Sequence, residues 1–63
     1  MIAILKGQIV EVDSETALID VNGVGYEITG SVNTLSELTP GQKAQVYTYT
    51  HVREDALQLF GFA

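Results

Sequence analysis

Among the 63 residues, the group best suited to a chemical task is Arg53-Glu54-Asp55, a cation followed by two adjacent carboxylates. It sits between two strand-like runs, Ala44 to Val52 and Leu57 to Phe62. A tight hairpin favours Asn-Gly or Asp-Gly, which accept the positive φ that the turn demands. Val52-Arg53-Glu54-Asp55-Ala56 contains neither glycine nor proline, so the sequence predicts a longer, protruding loop. A solvated hairpin end would need polarity, since loop tips are exposed, but not this concentration of charge. The tip is therefore the first candidate for function.

The other reactive residue types do not assemble. Ser14, Ser31 and Ser36 fall in turns or a helix, and His51 is the single imidazole, so no nucleophile–base pair is expected. His51 reads as a strand-face histidine. Gly23-Val24-Gly25 is a lone G-x-G inside a hairpin, without the following helix that would bind an anion. Asp13 and Glu15 flank a turn and read as solvated residues, not calcium ligands. Tyr47 and Tyr49 share one strand face and could stack bases; lacking basic neighbours in the sequence, they read as packing or a protein interface. No enzyme activity, cofactor or metal site is expected.

The totals agree with a binding or structural role. A chain of this size forms one domain and buries only about 60% of its unfolded surface, so its stability margin is thin. With no cysteine, disulfides and thiolate zinc sites are excluded, and a reducing cytosol suits the chain. A hydrophobic share of 46% indicates a folded core rather than disorder. No apolar run approaches the roughly 18 residues of a membrane span. Three Lys+Arg against eight Asp+Glu give a net charge of −5. Affinity for nucleic acid comes mostly from neutralising phosphates, so the chain alone should bind DNA or RNA weakly.

The elements that must position the tip follow from periodicity. Ile2 to Val12 reads as a long first strand, with Gly7 marking a bulge or bend. Thr16 to Val21 is the second strand, Asn22-Gly23 a two-residue hairpin turn, and Val24 to Thr29 the third strand, in which Gly25 would let another backbone approach. Val32, Leu35 and Leu38 at three-residue steps, behind Ser31 or Asn33 as N-cap, predict a helix of about two turns over residues 31–38, plugging one barrel end. Thr39-Pro40-Gly41 stops it. The fourth strand places Val46, Thr48, Thr50 and Val52 on one face and Tyr47, Tyr49 and His51 on the other. The fifth alternates Leu57 and Leu59 against Gln58 and Phe60. This order predicts an all-β, five-stranded OB-fold barrel with one short helix between strands 3 and 4, filling residues 1–63. SH3-like barrels also use five short strands, and the helix and the long kinked first strand favour the OB-fold.

Two motifs carry a resemblance across the whole chain. Val21-Asn22-Gly23-Val24-Gly25-Tyr26-Glu27 and Val52-Arg53-Glu54-Asp55-Ala56, followed by Leu57-Gln58-Leu59-Phe60-Gly61-Phe62, are similar to the N-terminal domain family of RuvA, the Holliday-junction-binding subunit of the RuvAB branch migration machine. The opening Met1-Ile2 through Lys6-Gly7 fits that family as well. The resemblance implies a non-catalytic, cytoplasmic domain of a homotetramer that holds a four-way DNA junction flat and open during recombination and repair. It implies that Glu54 and Asp55 form an acidic pin near the four-fold centre, with Arg53 orienting the loop or pairing with a neighbouring carboxylate. It also implies helix-hairpin-helix and motor-binding domains, the latter recruiting a RuvB-type motor, that lie outside this chain. The alternative is a protein-interaction barrel, OB-like or SH3-like, whose Tyr47/Tyr49 face binds a partner and whose acidic tip only solubilises.

Overall fold

Two left-handed residues set the register of the first half of the molecule. In a computed structural model, described over residues 1–62, Asn22 and Gly23 have φ of 51° and 91°. The Gly23 N–H donates to the Asp20 carboxylate at 2.8 Å. This turn joins β2 (Thr16–Val21) to β3 (Val24–Thr29) in unbroken antiparallel pairing from Thr16–Thr29 to Val21–Val24. Ala63, the last residue of the expected domain, lies outside the described residues.

β1 (Ile4–Val12) serves two partners. Its first half pairs with β4 (Lys43–Val52) from Ile4–Tyr47 to Gln8–Lys43, and its second half pairs with β2 from Gln8–Asp20 to Val12–Ala17. The strand starts two residues later than its hydrophobic pattern predicts. Ile2 is instead fastened by side chains: its N–H donates to Thr50 Oγ1 at 2.9 Å, and the Thr48 and Thr50 hydroxyls both donate to its carbonyl. The bulge is also misplaced by the sequence. The register slips between Ile9 and Glu11, at Val10, and not at Gly7.

Gly7 has a different purpose. A Cβ there would collide with the backbone carbonyl oxygen of Asp20 and approach Val21 Cγ2 to 3.0 Å. β2 can cross β1 this closely only because residue 7 has no side chain. Gly25, expected to admit a backbone, faces nothing closer than Leu18 Cδ1 at 3.4 Å. Gly7→Ala should therefore force β1 and β2 apart and lower the unfolding free energy by about 1–3 kcal/mol, in the range of core overpacking. Urea titration of the variant beside Gly25→Ala, which meets only that one ordinary neighbour, checks this.

The helix is shorter than its pattern. α1 spans Val32–Ser36, capped by Ser31, whose hydroxyl accepts the Thr34 N–H at 3.2 Å. Beyond it, Glu37 N–H bonds to Thr34 O and Leu38 N–H to Leu35 O, so the second turn tightens to i→i−3 bonding ahead of Pro40. Leu35 is buried and Leu38 packs against the core, whereas Val32 points to solvent at 76% exposure. Leu35 is thus the helix's apolar contribution to the buried core.

β5 (Leu57–Phe62) completes the molecule. It runs antiparallel to β4 from Tyr47–Phe62 to Val52–Leu57 and parallel to β3 at Ile28–Leu59 and Thr29–Phe60. The result is a closed barrel in the order β1-β2-β3-β5-β4, the OB-fold arrangement. Ile9, Ile19, Ile28 and Val46 fill it, all fully buried. As expected, Val46, Thr48 and Thr50 of β4 turn inward and Tyr47 and Tyr49 outward, but Val52 has left the core at 70% exposure. Leu57 is likewise exposed, at 60%, because it pairs with Val52 beyond the barrel rim.

Candidate functional site

The β4–β5 hairpin holds its tip on a full ladder. Its last pair is Val52–Leu57, and the four residues between them are all exposed. The connection is four residues long, more than a tight two-residue turn as expected, but it is compact. The Arg53 N–H donates to the Ala56 carbonyl at 2.7 Å, which adds one more rung and leaves only Glu54 and Asp55 at the apex. Among the described residues, Asn22 alone of the non-glycines has positive φ, so the tip turns without left-handed residues. Four residues spread the reversal over enough bonds that neither glycine nor proline is required. The closing bond belongs to the backbone, and the side chains of Arg53, Glu54 and Asp55 face water.

The tip is one part of a wider acidic surface. OB barrels commonly bind nucleic acid on the β2–β3 face and its flanking β1–β2 and β4–β5 loops. Here the β1–β2 loop carries Asp13 and Glu15, β3 carries exposed Glu27, and the β4–β5 loop carries Glu54 and Asp55. Such a surface repels a phosphate backbone. The β1–β2 loop is also well anchored, with Asp13 N–H donating to Thr16 O at 2.8 Å and Glu15 O accepting from Gly30 N–H at 3.0 Å. The acidic arrangement can guide or exclude a strand; it cannot grip one.

An aromatic face lies beside the tip. Tyr47, Tyr49 and Phe62 are each more than half exposed, and cross-strand pairing sets Tyr47 against Phe62 and Tyr49 against Phe60. The Tyr49 and Phe60 rings lie 6.5 Å apart and tilted, and His51 meets Phe60 edge-on at the same distance. His51 is thus a strand-face residue packed on an aromatic ring. The sequence offered Tyr47 and Tyr49 but not Phe60 and Phe62 as their neighbours, because the pairing depends on the hairpin register. It also showed no basic neighbours for the tyrosines; the register sets Lys6 of the adjoining strand diagonal to Tyr47 and pairs Tyr49 with Phe60. Among the described residues, no group of three His, Cys, Asp or Glu residues is placed to hold a metal ion.

With this geometry established, comparison with known proteins is specific. The family model described as "RuvA N terminal domain" matches residues 1–61. The Holliday junction branch migration complex subunit RuvA of Bdellovibrio bacteriovorus is 59% identical over 64 residues, covering 98% of this chain and 33% of that protein. The subunit of the same name from Corynebacterium glutamicum is 48% identical over 62 residues, covering 98% of this chain and 30% of that protein. That from Acinetobacter baumannii is 46% identical over 63 residues, covering 100% and 32% respectively. The chain spans about a third of the length of these curated relatives.

Proposed function

The chain belongs to the RuvA N-terminal domain family, and from that premise we propose that it is the DNA-guiding barrel of a Holliday-junction-binding subunit, acting in branch migration during recombination and repair. In this reading the barrel is a non-catalytic, cytoplasmic module of a homotetramer. Helix-hairpin-helix segments elsewhere in the full-length protein grip the DNA, and a further domain recruits a separate RuvB-type motor. Glu54 and Asp55 form the pin at the crossover, and Arg53 supports it.

The observation that carries the reading is the tip itself: two exposed carboxylates at the apex of a hairpin held by an unbroken ladder. A ring with four-fold symmetry would set one such pair per subunit around a shared centre. Phosphates entering that centre meet fixed negative charge, and the strands are steered apart into neighbouring arms.

The aromatic face supports a second reading, a protein-interaction barrel with no role on DNA. Exposed, contiguous rings mark association surfaces. The two readings part on one experiment. The full-length protein should bind a four-way junction in preference to linear duplex of equal length, with affinity falling steeply as salt rises, because phosphate contacts release counterions. A protein-interaction barrel predicts no junction preference at any salt concentration.

A further inference from the structure

The chain has few cations, and the fold gathers two of them. Lys6 and Lys43 are two of only three Lys+Arg residues in a sequence with eight carboxylates. In the β1–β4 ladder Lys6 pairs with Gln45 and Lys43 with Gln8. The lysines are therefore diagonal neighbours on one face, about 7–8 Å apart. All four side chains are exposed. They line a groove of about 620 Å³, bounded on its far side by Asp20 and Asn22 at the β2–β3 turn.

The surroundings favour an anion in this groove. No carboxylate pairs with either lysine across the ladder; each faces an amide side chain instead. The Gln8 amide is steadied by donating to the Gly41 carbonyl at 3.3 Å. The one acidic residue lining it, Asp20, pairs with Gln8 on the other side of β1 and turns one oxygen to the Gly23 N–H, so two lysines against one carboxylate leave the groove a net +1. Two like charges held at diagonal positions repel each other weakly in water, and an anion between them reverses the sign of the interaction.

Position adds a second argument. Lys43 begins β4 and the acidic tip follows its end, ten strand residues later. At about 3.3 Å per residue the groove and the tip stand roughly 30 Å apart, close to the molecule's full 33 Å length. One strand thus carries positive charge at one end and negative charge at the other. That separation corresponds to about nine steps of 3.4 Å along a DNA strand.

We propose that the outer β1–β4 groove bearing Lys6 and Lys43 is a DNA-backbone site, which seats a phosphodiester of a junction arm about 30 Å from the acidic tip. The proposal rests on the junction-binding reading and extends it to a surface opposite in sign to the pin. Backbone repelled at the crossover is held further out along the arm, which aligns the arm with β4.

The test uses the full-length protein with Lys6→Gln, Lys43→Gln and the double variant, all exposed positions whose replacement leaves the core intact. The slope of log affinity against log salt for a four-way junction should fall by about one for each lysine that no longer neutralises a phosphate. An unchanged slope in the double variant, with wild-type binding intact, overturns the groove and leaves the junction reading standing. A changed oligomeric mass by light scattering with an unchanged slope also overturns it, in favour of an acidic protein surface. If the wild type shows no junction preference, the junction reading fails, and lysine acetylation mapped by mass spectrometry decides the groove separately. Protection of Lys6 and Lys43 by a 20-base-pair duplex, but not by inorganic phosphate, supports the backbone site. Protection by inorganic phosphate alone, or no protection, overturns it.

Discussion

Glu54→Gln combined with Asp55→Asn, in the full-length protein, is expected to raise affinity for linear duplex and erode the preference for a four-way junction. The substitutions keep side-chain shape and remove two charges per subunit, taking the tip from a net −1 with Arg53 to +1. A carboxylate and a phosphate about 4 Å apart repel by roughly 1 kcal/mol in water and about 4 at an interfacial dielectric. Relief of one such repulsion at the lower figure corresponds to about fivefold tighter duplex binding. A DNA stacking step is worth about 1.4 kcal/mol, so in the proposed reading repulsion of this size would bias strands at an open crossover but not melt a duplex unaided. The rate of motor-driven branch migration should change with the selectivity. Gel competition between junction and duplex, together with a migration assay, reads both. If selectivity and migration rate match the wild type, Glu54 and Asp55 are merely a solvated hairpin end.

The largest stability effect is expected at Ile28. This side chain is fully buried and sits where the barrel closes, between Ala17 of β2 and Leu59 of β5. The parallel seam there consists of two residue pairs, Ile28–Leu59 and Thr29–Phe60. Ile28→Ala should cost about 2–5 kcal/mol through reduced burial and the cavity left behind. A domain of this length has only about 3–9 kcal/mol in total, so the thermal midpoint should fall by about 10–30 °C. A coupled variant identifies the cause. A Cβ on Gly61 would come within 2.6 Å of Ile28 Cδ1 and 3.1 Å of Val46 Cγ1. Gly61→Ala should therefore destabilise the wild type by overpacking, and less so in an Ile28→Val background, where Cδ1 is gone. Circular dichroism melts of the four proteins measure that coupling; strictly additive costs would mean that the two sites do not share the seam.

Features written in neighbouring residues were legible before the structure. Asn22-Gly23 announces its own turn, and the alternation through Tyr47, Thr48, Tyr49 and Thr50 assigns the faces of β4 correctly. Features that depend on distant pairing were not. Gly7 attracted the bulge because glycine tolerates one, whereas the slip occurs at Val10 and Gly7 answers to the Asp20 carbonyl arriving from another strand. The helix pattern overran because Val32 fits the apolar spacing yet faces solvent, leaving Leu35 as its buried anchor. For the candidate site, the identity and exposure of the tip were readable from charge alone. Its compact geometry was not, since a closing backbone bond leaves no mark on residue type. Lys6 and Lys43 are distant in sequence and become neighbours only through the β1–β4 register.

The two-pair seam between β3 and β5 also bears on how the chain is made. β1 must wait for β4, and Ile2 is fastened to Thr50, 48 positions later. Neither ladder of β5 can form until the last described residues have been synthesised. A nascent chain halted before Leu57 would hold β4, β1, β2 and β3 as an unclosed sheet, with Ile28 still lacking its β5 neighbour Leu59. Closure of this barrel therefore waits for its own last strand, in the slow class set by non-local strand pairing. Until it occurs, the growing polypeptide presents the apolar surface and free strand edges on which chaperones and proteases act.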